Sequence, residues 1–273
     1  MGKIHDALEK AERERYLINR SLPKSTPKRE SGVENIEVQA PTLPKAEKDI
    51  IKKKKGYYKD TYALATEQFR ILKSKILYVK NGTPPKTILV TSSVPLEGKT
   101  TVAVNLAISI AQGVKEHVLL VDCDFRKPEI HKLFNLSPQR GLSDYLLGQV
   151  TIPEILLKTK TPKLSVLPSG KQVSNPADLL ASERMKELIQ ELKNRYNDRY
   201  IIFDSSPLQL TSETMVLLSQ VEGVILVVRA GKTNRNLVLN TIKEIEKERL
   251  LGVVLNGVEK SLTNRYYSHY KYY

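Results

Sequence analysis

Cysteine is almost missing from this chain of 273 residues: Cys123 stands alone. A lone thiol excludes an intramolecular disulfide framework and fits a reducing cytosol. No apolar run approaches the roughly 20 residues that a membrane-spanning helix needs, and the start Met1-Gly-Lys-Ile-His-Asp6 lacks the apolar centre of a signal peptide. A cytoplasmic protein is therefore expected. Tryptophan is absent and aromatic residues make up 6% of the chain, with none interleaved among the basic stretches. No DNA-reading motif is present either, so nucleic acid is not an expected partner despite a formal charge of +14. Four of the cations form the run Lys52-Lys53-Lys54-Lys55, which suits a solvated linker or contact with an anionic bilayer.

With 40% apolar content, the chain can bury one substantial core, leaving about 70 residues for extensions. Residues 1–60 read as an extension. Ile4, Leu8 and Ala11 suit a short amphipathic helix, and Pro23, Pro27, Pro41 and Pro44 then mark a disordered linker. A helical pattern runs from Thr61 to about Tyr78 through Leu64, Phe69, Leu72 and Ile76. Beyond it, short apolar runs alternate with helical stretches: Ile88–Val90, Val118–Val121, Leu164–Leu167, Tyr200–Phe203, Val224–Val228 and Val253–Leu255. Runs of this kind are strands buried on both faces, and the alternation predicts a doubly wound, mostly parallel α/β sheet. The domain is expected over 61–260, with a tail over 261–273.

The run Ile88-Leu89-Val90 leads into a loop closing on Gly98-Lys99-Thr100, and a helix follows with Ala103, Leu106, Ala107 and Ile110 on one side. A loop between a buried strand and a helix N-terminus presents free backbone N–H groups and a favourable dipole to an anion. Lys99 suits the β- and γ-phosphates of a nucleotide, and Thr100 suits a position on Mg²⁺. Two more strands end in acids. Val118–Val121 leads to Asp122-Cys-Asp124-Phe-Arg126, and Tyr200–Phe203 leads to Asp204-Ser-Ser-Pro207. Three carboxylates beside a phosphate loop suit one metal and one proton acceptor, hence nucleotide hydrolysis or phosphoryl transfer. The competing reading is plain ion pairing, with Arg126 neutralising Asp122 or Asp124.

The loop Ser92-Ser-Val-Pro-Leu-Glu-Gly-Lys-Thr-Thr101, the motif Asp122-x-Asp124-x-Arg126 and the strand end Asp204-x-x-Pro207 resemble the Walker A, A′ and B set of the bacterial tyrosine kinases. The likeness extends over about residues 60–260, including Gly141-Leu-Ser-Asp-Tyr-Leu-Leu-Gly148, Leu167-Pro-Ser-Gly170 and Asn175-Pro176. It implies a P-loop NTPase fold and an ATP-dependent, Mg²⁺-dependent tyrosine autokinase that regulates exopolysaccharide or capsule biosynthesis. It also places ATP against Pro95, Leu96, Glu97, Gly98, Lys99, Thr100 and Thr101, with Mg²⁺ on Thr100, Asp124 and Asp204. Asp122 becomes the proton acceptor, although Asp122 and Asp124 can exchange roles, and Arg126 orients a carboxylate or the tail. Five of the 13 tyrosines lie in the last eight residues, Tyr266, Tyr267, Tyr270, Tyr272 and Tyr273. That cluster resembles the one family members phosphorylate on one another. Glu67, Arg70 and Lys73 share a helix face and resemble the family's E-x-x-R-x-x-R oligomerisation motif, which joins copies into a ring. Lys73 at the third position lacks an arginine's bidentate fork.

The resemblance further implies a separate membrane co-polymerase as activator, a tyrosine phosphatase, and a peripheral place at the inner face of the plasma membrane. Leu96 departs from the family, whose loops commonly carry glycine there, and a positive φ would strain it. A partition- or division-type ATPase is the rival enzyme, but its signature lysine would fall at Val94. A nucleotide-binding scaffold is the rival outside enzymology.

Overall fold

The computed structural model of the chain describes residues 63–78, 82–195 and 198–258. The amphipathic segment near the start, the Lys52–Lys55 run and the tail tyrosines lie outside them. Helix α1 occupies 63–77. The phosphate loop joins strand β1 (Thr87–Ser92) to helix α2 (Lys99–Ala111), after which come β2 (His117–Asp122) and short helices α3 (Ile130–Leu133), α4 (Leu142–Leu146) and α5 (Ile152–Ile155). Strands β3 (Leu157–Lys158) and β4 (Leu164–Leu167) lead to helices α6 (Pro176–Ala181) and α7 (Glu183–Arg195). The remainder is β5 (Arg199–Asp204), α8 (Ser212–Gln220), β6 (Gly223–Arg229), α9 (Arg235–Glu244) and β7 (Leu250–Asn256).

All seven strands form one sheet in the order β3-β4-β2-β5-β1-β6-β7. Every pairing is parallel except that of β3 with β4. Each of the six apolar runs lies in a strand; β3 was not anticipated, because two residues at an edge carry no readable period.

Strand residues alternate between two cores. Ile88, Val90, Leu120, Ile202, Ile225 and Val227 pack towards Ala103, Leu106, Ala107 and Ile110 of α2 and Ile76 and Leu77 of α1. Leu89, Leu119, Val121, Phe203 and Leu226 face the opposite core, which includes Met185, Leu188, Ile189 and Leu192 of α7. Those four fall at helical spacing and give α7 its apolar stripe. Each fully buried Leu, Ile or Phe contributes about 1.5–3 kcal/mol of transfer free energy. At the outer edge the burial lapses, and Val253 and Leu255 of β7 are half exposed. Among the described residues no helix is long and apolar enough to cross a membrane.

Parallel order places the strand ends, and the chemistry they carry, along one edge. Register aligns Val90 of β1 with Asp204 of β5, and Asp122 of β2 with the same Asp204. The Gly141–Gly148 and Leu167–Gly170 segments, remote in sequence, meet near this edge. Leu142 N–H donates to the Pro168 carbonyl and Ser143 N–H to that of Ser169, both at 2.8 Å. Asp144, buried, accepts from Gly141 N–H at 2.9 Å. A Cβ on Gly141 would come within 2.2 Å of the Gly170 nitrogen and 2.3 Å of the Pro168 carbonyl oxygen. These are backbone atoms that no side-chain rotation clears. Gly141→Ala is therefore expected to destabilise the fold by about 1–3 kcal/mol, read as a lowered urea midpoint at unchanged m-value.

Candidate active site

The phosphate loop starts with a strained turn. Pro95 and Leu96 occupy its tip, and Leu96 has φ +65°. A proline followed by a left-handed residue is the form of a type II turn, where glycine is the usual occupant. The left-handed backbone considered for position 96 is thus present. It costs a leucine about 1–2 kcal/mol, and at 84% exposure the side chain gains no packing to offset it.

Glu97 holds the turn in place. Its carboxylate is buried and accepts from Val94 N–H at 2.9 Å, from Arg229 N–H at 3.2 Å and from the Thr233 hydroxyl. Its carbonyl accepts from Asn256 Nδ2 at 2.8 Å. The loop is tied to the ends of β6 and β7 by one residue. Gly98 follows with φ +91°, and a Cβ there would lie 2.1 Å from Asn256 Nδ2. No side chain caps α2, so its first-turn N–H groups are available to an anion.

Lys99 and Asp124 meet at 2.8 Å, and their side chains are only 15% and 4% exposed. Asp124 also accepts from Lys127 N–H at 3.0 Å and the Ser206 hydroxyl at 2.9 Å. Burial works against the Lys99 charge, but the nearby Asp204, Asp124 and Asp122 outweigh it and raise its pKa. Asp122 is fully buried and accepts from Asp124 N–H at 3.2 Å and Ile130 N–H at 3.3 Å. Burial and the Asp204 charge push it well above the usual carboxylate range. Cys123, between the two acids, is raised by burial and the same charges. Asp204 is pushed up to about 7 by burial, against the pull of Lys99 and the Thr100 hydroxyl. Thr100 acts there as a nearby dipole, since neither Asp204 oxygen has a well-formed hydrogen bond among the described residues.

That unsatisfied carboxylate suits Mg²⁺. A buried acid with no partner is strongly disfavoured unless a cation completes it. Thr100 and Asp204 offer hard oxygens beside the phosphate loop, with Asp124 close at hand. No cluster of three or more His, Cys, Asp or Glu forms a metal cage among the described residues. Mg²⁺ needs none, because it takes one or two carboxylates and fills its remaining positions with phosphate and water. The residues fit the ion.

Residues 86–253 match the AAA domain family. Tyrosine-protein kinase YwqD of Bacillus subtilis is 35% identical over 213 residues, which span 77% of this chain and 87% of that protein. This chain belongs to the bacterial tyrosine kinases. Tyrosine-protein kinase CpsD of Streptococcus agalactiae is 34% identical, with 72% of this chain and 85% of that one covered. In solved structures, the kinase domain of the Escherichia coli tyrosine kinase ETK superposes with TM-score 0.67 at 30% identity, covering 72% of this chain and 76% of that one.

The kinase fold thus brings Lys99, Thr100, Asp122, Asp124 and Asp204 to one edge of the sheet. Glu67 and Arg70 sit on α1, paired at 3.3 Å and exposed, with Lys73 one turn on. Arg126 pairs with neither Asp122 nor Asp124. Its Nε donates to Glu213 at 2.6 Å. Sequence reasoning missed Glu213, Ser206, Thr233 and Asn256, and overlooked the Glu97 side chain. Asn256 ends an apolar run as Asp122 and Asp204 do, and that position was its readable signal.

Asp204 links the site to pH. Its folded pKa, about 7, lies above an ordinary carboxylate value, so the folded state holds the proton more tightly than the unfolded chain. Its contribution to stability is full below about pH 4 and lost as pH rises through 7. Without nucleotide, Asp204→Asn is expected to be more stable than the parent at pH 8 by roughly 2–4 kcal/mol. Denaturant titrations across pH 5–8 should show that gap shrinking towards pH 5.

Proposed function

We propose that this chain is an ATP-dependent protein-tyrosine autokinase that phosphorylates the tyrosine cluster of a second copy in trans, in the control of exopolysaccharide or capsule synthesis and export. The observation that carries the reading is the Lys99–Asp124 contact beside the register-paired Asp122 and Asp204. It supports a reading in which a phosphate-binding cation, a metal site and a proton acceptor act together.

In this reading, backbone N–H groups from Leu96 to Thr101 cradle the triphosphate, and Lys99 leaves Asp124 for the β- and γ-phosphates. Thr100 and Asp204, with Asp124 in support, would hold Mg²⁺, which would supply charge neutralisation on those phosphates. Asp122 takes the phenolic proton as the tyrosine oxygen attacks the γ-phosphorus. The bond to the β–γ bridging oxygen breaks and ADP leaves. Burial and the Asp204 charge raise the proton affinity of Asp122, which suits it to take that proton.

The acceptors are Tyr266, Tyr267, Tyr270, Tyr272 and Tyr273 in the 261–273 tail. Several phosphates of −1.5 to −2 charge in so short a stretch would repel one another and drive the tail from the site after reaction. A trans reaction requires neighbours, and the Glu67/Arg70/Lys73 face of α1 is the candidate for ring assembly. A separate membrane co-polymerase supplies the activating segment and holds the kinase at the inner membrane face, and a tyrosine phosphatase resets the tail. Val94 stands where a partition- or division-type ATPase would place its signature lysine, which favours a phenol over water as acceptor.

The test is incubation of the full chain with ATP, Mg²⁺ and a partner's cytoplasmic segment, read by phosphotyrosine mass spectrometry. Phosphate should appear on the tail cluster, and Lys99→Met should lower its rate by about 100-fold or more. Phosphate release without phosphotyrosine would make the protein an ATPase instead.

A further inference from the structure

Glu213 is 2% exposed and sits in the first turn of α8, where the helix dipole favours an acid. Oε1 accepts from Arg126 Nε at 2.6 Å, while Oε2 is buried without a hydrogen-bond partner among the described residues. Its partner is different in kind: the Arg126 side chain is 60% exposed. A surface ion pair made for stability uses two exposed groups and contributes little. Burying one carboxylate to hold one solvent-facing arginine is expensive as a stabilising device. It does fix where the guanidinium lies.

That place is tied to the loops that carry Asp124 and Ser206. Arg126 stands two residues beyond Asp124, and Asp124 accepts from the Ser206 hydroxyl at 2.9 Å. The Ser206 carbonyl accepts from Thr214 Oγ1 at 2.8 Å, and Thr214 is the neighbour of Glu213, which returns to Arg126. This closed ring ties the loop after β2, with Asp124, to the loop after β5, with Asp204. Since Nε is committed to Glu213, the two terminal nitrogens of Arg126 have no hydrogen-bond partner among the described residues.

We propose that Arg126 is a further catalytic residue, its terminal N–H groups stabilising the charge on the transferring phosphoryl group, and that Glu213 is its positioning residue. The assignment rests on the kinase reading above. A guanidinium fork suits phosphoryl oxygens better than an ammonium does. An arginine aimed before the reaction acts without reorganisation at the moment of transfer.

The experiment supplies Mg²⁺ and the partner's cytoplasmic segment and measures tail phosphotyrosine formation against ATP concentration for the full chain and its variants, with circular dichroism confirming folding. Arg126→Ala should lower kcat about 100-fold with KM for ATP changed less than about threefold. Arg126→Lys should recover only part of that loss. Glu213→Gln should lower kcat about tenfold in the parent and less than about twofold in Arg126→Ala, because its effect runs through the arginine. An Arg126→Ala kcat within about threefold of the parent overturns the assignment. So does a Glu213→Gln loss that persists undiminished in Arg126→Ala, which would make the acid a purely structural group. If the parent chain forms no phosphotyrosine, the kinase reading falls and this assignment with it.

Discussion

Three carboxylates crowded at one end of a buried sheet are the constraint on which the site depends. Asp122 and Asp204 are register partners on adjacent parallel strands, so their separation is set by the ladder and cannot relax. Asp124 lies two residues beyond the end of β2, and all three are nearly inaccessible to water. Like charges held so close cannot all ionise without cations, so protons are retained and Lys99 is drawn in. In a chain of formal charge +14, the catalytic edge is a local pocket of negative charge. A Mg²⁺–polyphosphate complex bound there would relieve it by bringing a cation for the acids and an alternative partner for Lys99.

The phosphate loop answers a different problem, which is to hold an open backbone shape without the glycine that would make it cheap. Leu96 is left-handed and unsupported by packing, so its geometry must be imposed by neighbours. Glu97 imposes it by bonding within the loop and across to the ends of β6 and β7. The Ser93–Thr241 hydroxyl contact at 3.0 Å adds a tie to α9. The loop is therefore shaped by strands laid down more than a hundred residues later in the chain.

That long-range tie separates what was legible in the sequence from what was not. Strands buried on both faces announce themselves as apolar runs, and acids at their ends stand out because dry carboxylates are rare without a task. Hence β1, β2, β5 and the residues Lys99, Asp122, Asp124 and Asp204 could be read directly. Leu96 was readable as a conflict between a turn and its occupant. The partners of Glu97 and Arg126 were not, because Thr233, Asn256 and Glu213 look like ordinary polar residues until the sheet order brings them over. Arg126 seemed made for the neighbouring acids, yet Asp124 was already engaged by Lys99 and Ser206, and Asp122 by backbone N–H groups.

Asp204, buried and without a well-formed hydrogen bond among the described residues, is the proposed hold of the protein on Mg²⁺. Calorimetric titration with ATP, with and without Mg²⁺, tests it on the parent chain and on Asp204→Asn. Mg²⁺ is expected to tighten ATP binding about tenfold or more in the parent and to have little effect in Asp204→Asn. An equal gain from Mg²⁺ in both proteins would contradict it.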